Sequence, residues 1–335
     1  LEVVDAQGHW LLPGFIDVLT HPCGGGGEGG FGNRTSEIEA DEFIRSGITS
    51  PVGALGTDSI VRSLDVLYGK TMELRARGLS AFMYSGSYRV PPLTLTGDLA
   101  RDMVLVDPVI GVGEVAISDH RSAQPTIQEI RRLAADVHLG GTLSGKQGVV
   151  FLHLGDGKAG LEPVDLVLAG SELPRRLFYP THINRNRPLL EQAIEHARLG
   201  GFADITVSTT DELIAAGDIP PLEALALAIE AGAPADRLTF SSDAGGSLPL
   251  YREGELVGLQ SASPKAMLDT LVDAIEHRHE RIENVIAGMT LNPARALGLV
   301  NKGCIEPGRD ADVLLIDPAS GELDGVMCGG SWLLR

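Results

Sequence analysis

A chain of 335 residues with 43% hydrophobic and 21% charged residues has an ordinary globular composition, which argues against disorder and fibrous repeats. Lys plus Arg number 27 against 45 Asp plus Glu, a net charge of −18, so its overall field disfavours nucleic acid and anionic membranes, and any anionic ligand needs local Arg or Lys groups. No apolar run reaches about 18 residues, and three scattered cysteines (Cys23, Cys304, Cys328) make no disulfide framework, so no membrane span and a reducing, cytoplasmic compartment are expected.

The chain opens at Leu1 without Met or a leader, and Arg335 follows an apolar Trp332-Leu333-Leu334, so residues are expected to be missing at both ends. Residues 1–12 read as short strands. From there β-type runs alternate with helix-type stretches: strands at 14–19 and 48–55, a helix at 60–76, strands at 81–88 and 110–117, a helix at 126–137, strands at 149–154 and 177–183, a helix at 189–199, a strand at 203–208, a helix at 222–231 and a strand at 238–243. Eight strands with intervening helices are the count of an α/β (β/α)8 barrel, whose usual size is about 250 residues. Residues 303–334 again read as short strands with Gly and Pro turns. The expected organisation is a catalytic barrel at 13–299, flanked by a small β domain, itself incomplete, from 1–12 and 300–335.

The informative polar residues fall at or just past the C-terminal ends of these strands, the catalytic edge of a barrel. They are His21 and the Gly24–Gly27 run with Glu28, then Tyr88, Glu114, Asp119-His120-Arg121, His153, His182 with Asn184-Arg185, and Asp243. A lone histidine at a strand end is more often a hydrogen-bonded structural residue. Three on one rim beside two carboxylates point to a metal site. Glu114 lies inside an apolar strand and needs a cation, because an unpaired buried carboxylate costs several kcal/mol. Read singly, Asp243 is a turn or cap residue, Tyr88 packing, and Arg121 and Arg185 partners for acidic neighbours. His277-Arg278-His279 lies on a helical stretch where i and i+2 diverge, and is set aside as a metal site. Cys23 reads as a small apolar filler. No phosphate loop and no strand–Gly-x-Ser-x-Gly–helix elbow is present.

The strings Pro13-Gly14-Phe15-Ile16-Asp17, Gly24–Glu28, Leu55-Gly56-Thr57-Asp58-Ser59, Ser118-Asp119-His120-Arg121-Ser122, His153-Leu154-Gly155-Asp156, Thr181-His182-Ile183-Asn184-Arg185-Asn186 and Ser241-Ser242-Asp243 together resemble those of the bacterial isoaspartyl dipeptidases (β-aspartyl peptidases) of the amidohydrolase superfamily. The segment 303–312 is similar to the superfamily's closing segment. The resemblance implies a hydrolase with two zinc ions per subunit on a (β/α)8 barrel, acting on β-aspartyl dipeptides through metal-activated water. His153 and His182 would bind one metal, His21 and Asp243 the other, and Asp243 would also serve as general base and acid. Tyr88 would donate to the oxyanion, Glu28 would hold the substrate ammonium, and Thr57, Arg121, Arg185 and Ser247 would hold its carboxylates or shape their pocket. A cytoplasmic homo-oligomer is implied, with a dipeptide as the small-molecule partner and neither nucleic acid nor membrane.

Two departures from the family pattern stand out. The His-x-His after the first strand is Leu19-Thr20-His21 here, so an apolar side chain replaces the first ligand, and His9 lies too far back to substitute. Weakened or lost occupancy of the second metal is expected. Glu114 stands where many relatives carry a carboxylated lysine; being shorter, it requires its strand to approach closely, which Gly111 and Gly113 would permit. The alternatives are another amidohydrolase, acting on a cyclic amide or an N-acyl amino acid, or a metal-impaired relative without catalysis.

Overall fold

The alternation of strand and helix signals is realised along the chain in the computed structural model, which describes residues 3–252, 255–277 and 281–335. Trp10–Pro13 (β1) precedes Phe15–Thr20 (β2), Ile48–Gly53 (β3), Phe82–Ser85 (β4), Val109–Ile117 (β5), Val150–Leu154 (β6), Phe178–Thr181 (β7), Ala203–Thr206 (β8) and Leu238–Ser241 (β9). β2 to β9 fall where the eight strands were expected. Nearly every residue in them is buried, the mark of parallel strands covered on both faces.

β2 to β7 form one parallel sheet in chain order, and β8 pairs in parallel with β9. A lone parallel bridge from Thr20 to Ala244 brings the chain after β9 back to the end of β2, so the sheet curls. Among the described residues no ladder joins β7 to β8, and only that bridge joins β9 to β2. At both seams buried carboxylates take over. Asp204 on β8 accepts the hydroxyls of Thr181 on β7 (2.6 Å) and of Thr239 (2.7 Å) and Ser241 (2.5 Å) on β9. Asp17 on β2 accepts the amide of Ser242 (3.0 Å) and its hydroxyl. A buried carboxylate must fill its lone pairs, and here it does so across the gap between strands.

The helices expected at 60–76, 189–199 and 222–231 are Leu64–Ala76, Arg187–Arg198 and Pro221–Glu230. The one expected at 126–137 runs further, Ile127–Ser144. It starts in a reciprocal cap between Thr126 and Glu129, and it passes through Gly140, where a Cβ would fall 2.7 Å from the Met103 side chain. Gly140 is a close-packing position inside the helix. The sequence reading missed the antiparallel hairpin Ser247–Arg252 (β10) and Glu255–Ser261 (β11). Val313–Ile316 (β12), Leu323–Cys328 (β13) and Ser331–Leu334 (β14) join β1 in a four-stranded antiparallel sheet built from both ends of the chain. At the start of the chain strand structure is confined to β1 among the described residues of 1–12. Arg278 and His279, from the histidine pair set aside above, lie outside the described residues. Among the described residues no helix is long and apolar enough to cross a membrane.

Burial raises Asp204 to about 6, although the Ser241, Thr181 and Thr239 hydroxyls oppose the shift. The fold therefore holds the protonated form more tightly than the unfolded chain does. That contribution is complete below about pH 4 and is lost as pH rises through about 6. Asp204→Asn has no such titration. Urea unfolding at pH 4.5 and pH 8 should show the natural chain losing more stability than the variant between the two pH values; equal losses contradict the assignment.

Candidate active site

Five strands aim polar side chains at one point, one from within the strand and four from at or just past the strand end. β5 supplies Glu114, 1% exposed. Three residues earlier on β5, Gly111 packs so close to the residue before β6 that a Cβ there would sit 2.4 Å from the Val149 carbonyl oxygen. β6 supplies His153, whose Nδ1 is 2.6 Å from Glu114 Oε1. His182 follows β7 with φ 60°, and its Nε2 is 3.2 Å from the same oxygen. His21 follows β2 and sets Nε2 3.4 Å from Glu114 Oε2 and 3.0 Å from Asp243 Oδ1. Asp243 follows β9 with φ 52°. A non-glycine residue in this left-handed region costs about 1–2 kcal/mol, which surrounding contacts must offset.

The electrostatics divide the histidines. Burial drives His182 down to about 4, so it is neutral at pH 7, with Nδ1 fixed 2.6 Å from the Thr206 hydroxyl. Burial also opposes the charged form of His21, but Asp243 and Glu114 prevail and raise it to about 9. Burial alone would raise Glu114; the surrounding His153, His182 and His21 hold it well below the usual carboxylate range.

Glu114, His153 and His182 are the one group of three such side chains, among the described residues, whose ligand atoms lie within 4.8 Å of one another. The Oε2 of Glu114 and the Oδ1 of Asp243 are buried and receive no hydrogen bond, the 3.0 Å approach of His21 being poorly aligned. Leaving such oxygens unpaired is costly, and a divalent cation would satisfy them. The donor set thus fits a metal at Glu114, His153 and His182. The His21 side is poorer: Leu19 is fully buried in an apolar cluster with Ile16, Val52, Tyr84 and Phe151. His9 is held elsewhere, 2.5 Å from Asp324.

Eight of the eleven expected side chains line one cavity: His21, Thr57, Tyr88, Arg121, His153, Arg185, Asp243 and Ser247. Glu114 lies beneath it, His182 lines the adjoining cavity, and Glu28 is tied to the rim through Thr57 (2.9 Å) and Arg121 (3.2 Å). The Oε2 of Glu28 is buried and unpartnered. Burial opposes its charge, yet a backbone hydrogen bond, Thr57 and Arg121 keep its carboxyl below the usual value. Arg121 spends its donors on Glu28 and Asp119, whereas the ion pair of Arg185, to Asp119, is long at 3.8 Å. Tyr88 Oη is 2.7 Å from His153 Nδ1.

Sequence reasoning gave no role to Asp119 or Thr206. Asp119 Oδ2 lies 2.9 Å from His153 Nε2 and 2.8 Å from Arg121 Nη2, so it orients a metal-site histidine and an arginine together. Burial would raise it, but His153 and Arg121 hold it far below the usual range. Its place in the Asp-His-Arg string was the available signal; Thr206 gave only a polar residue at a strand end.

The chain matches the Amidohydrolase family over residues 181–333. It is 46% identical to β-aspartyl dipeptidase from Fervidobacterium islandicum AW-1, solved in complex with β-Asp-Leu, over 98% of this chain and 86% of that one, with a TM-score of 0.90. A second structure of that enzyme matches at 44% identity, over 100% and 86% of the two chains and again with a TM-score of 0.90. N-acetylglucosamine-6-phosphate deacetylase from Pasteurella multocida, at 17% identity over 100% of this chain and 89% of that one, shares the fold with a TM-score of 0.63.

Partners that orient ligating histidines typically contribute 10–100-fold in metal affinity. Thr206→Val should weaken binding of a divalent cation to the metal-free protein by about that factor, read by isothermal titration calorimetry. Unchanged affinity would remove His182 from the metal site.

Proposed function

The chain belongs to the β-aspartyl dipeptidases of the amidohydrolase superfamily, and on that premise we propose that this site hydrolyses β-aspartyl dipeptides to aspartate and a free amino acid. The observation that carries the reading is the Glu114–His153–His182 cluster beside an anionic Glu28 with one open, buried oxygen. A divalent cation held by Glu114, His153 and His182 would polarise the scissile carbonyl and lower the pKa of water towards neutrality. The remaining work falls to the chain's own groups.

Glu28 takes the substrate α-ammonium on Oε2 while Thr57 and Arg121 hold Oε1. Arg185, the less committed arginine, receives a substrate carboxylate, and Ser247 closes that side of the cavity. Water adds to the side-chain amide carbonyl. Asp243 takes the proton from the attacking oxygen and delivers it to the departing nitrogen as the C–N bond breaks. Tyr88, whose burial raises its phenol far above 10, stays protonated and donates to the tetrahedral oxyanion, a contribution of about 2.7–4 kcal/mol for one such donor. An acidic protein thereby holds a zwitterionic ligand by local charge geometry.

Zinc suits two imidazoles and a carboxylate. We take the Glu114–His153–His182 position as the strong one and the His21–Asp243 position as the weak one, because Leu19 offers no ligand. The parallel sheets are read as one (β/α)8 barrel at 13–299, closed by the Thr20–Ala244 bridge and the Asp17 and Asp204 seams, with 1–12 and 300–335 as a small β domain. The three free cysteines accord with a cytoplasmic site of action, and a homo-oligomer completes the proposal.

β-Asp-Leu should be cleaved by the zinc-loaded protein and α-Asp-Leu left intact, as followed by ninhydrin assay or chromatography; equal cleavage of both isomers, or of neither, overturns the reading. Metal counting gives a separate check. Leu19→His should raise bound zinc from about one towards two per chain, and an unchanged count refutes the unequal sites.

A further inference from the structure

Asp243 sits in the left-handed region, at φ 52°, between two peptides that would relax if they were free. Both are clamped through one buried carboxylate. Asp17 Oδ1 accepts the Ser242 amide at 3.0 Å, and its Oδ2 accepts the Ser242 hydroxyl. The same hydroxyl oxygen accepts the Ala244 amide at 3.0 Å. The Ala244 carbonyl in turn accepts the amide of His21 at 2.6 Å. The residues before and after Asp243 are therefore fixed to the middle of β2, on the same strand that launches His21. Asp204, the other seam carboxylate, grips Ser241, Thr239 and Thr181 and makes no bond to either flank of Asp243.

We propose that Asp17 is a positioning residue for the hydrolysis: acting through Ser242, it sets the backbone of Asp243 so that the Asp243 carboxylate faces the Glu114–His153–His182 cluster. The proposal rests on the reading of Asp243 as the proton carrier. Among the described residues the hydrogen bonds of Asp17 go to Ser242 and to the Leu19 amide, and none goes to Glu114, His153 or His182. Its effect is on the orientation of a reacting group, so it should appear in kcat and not in KM.

The test compares Asp17→Ala, Asp17→Asn and Ser242→Ala with Asp102→Asn. Asp102 is an equally buried carboxyl group, bonded to Ser85, Leu95 and Thr96 away from Asp243, and controls for loss of a buried hydrogen-bonded carboxyl. Steady-state kinetics on β-Asp-Leu, thermal melting and crystal structures are measured on the full chain with zinc. Asp17→Ala should lower kcat about 100-fold with KM changed by less than about threefold. Asp17→Asn keeps the acceptor for the Ser242 amide but can meet the Ser242 hydroxyl oxygen only by donating to it, and should recover part of that loss. Ser242→Ala should lower kcat about tenfold, and Asp102→Asn should lower Tm with kcat unchanged. In the Asp17→Ala structure Asp243 should leave the left-handed region. An unchanged kcat in Asp17→Ala, or equal kcat losses in Asp17→Ala and Asp102→Asn, overturns the proposal. Where Asp17→Ala does not fold, an unchanged kcat in Ser242→Ala does so. If the natural chain leaves β-Asp-Leu uncut, the dipeptidase reading fails on its own, and the backbone of Asp243 in the Ser242→Ala structure still decides the positioning claim: an unmoved Asp243 overturns it.

Discussion

A carboxylate buried among three imidazoles is the constraint around which the rest of this chain is arranged. Glu114 is 1% exposed, and an ionised group at that depth must be matched by opposite charge. The charge comes from His21, after β2, while His153 on β6 and His182 after β7 bring ring nitrogens to the same carboxylate, all from separate stretches of sequence. Only a curled parallel sheet brings those strand ends to one place, and only strands as close as β5 and β6, with glycine at 111, let a side chain as short as glutamate reach the others. The fold's geometry and the site's electrostatics are one requirement.

Charge also organises the rim. The chain carries −18 overall, yet the cavity presents arginine, and that arginine is held by carboxylates. Asp119 grips Arg121 and His153 together, and Arg121 grips Glu28. The sequence of contacts metal-site histidine, aspartate, arginine, glutamate fixes the distance between the metal-site histidine and the Glu28 carboxylate.

Most of this was legible in the sequence for a physical reason. Polar residues at the ends of otherwise apolar runs are expensive unless used, so His21, Glu114, His153, His182 and Asp243 stood out against their strands. The eight strand positions followed from the same apolar runs. The hairpin 247–261 was not legible: Gly245 and Gly246 before it and Pro249 within it read as turn signals, and its pairing partner is only itself. The two seams were hidden as well. Asp17 appeared in a matching string without a role, and Asp204 and Thr181 are ordinary residues until the lapse of the ladder between β7 and β8 makes their side chains carry the contact. The extension of helix Ile127–Ser144 through Gly140 was lost because glycine's close-packing use is indistinguishable in sequence from its use as a terminator.

Two of the five left-handed non-glycine residues among the described residues lie at these seams, while Ser118, just past the doubly laddered β5, does not. His182 and Asp243 both occupy left-handed backbone, and both lie just past strands whose neighbours on one side are not laddered to them. A regular ladder continued to the rim would impose extended geometry on these two residues and point their side chains along the strand's alternation. Ending the ladder early and transferring its load to Asp17 and Asp204 frees the last residue of each strand to turn inward. The costs are the burial of two carboxylates, each pushed well above its ordinary pKa, and two strained residues. What is obtained is a pair of side chains aimed at the cluster from directions that a straight strand end does not reach.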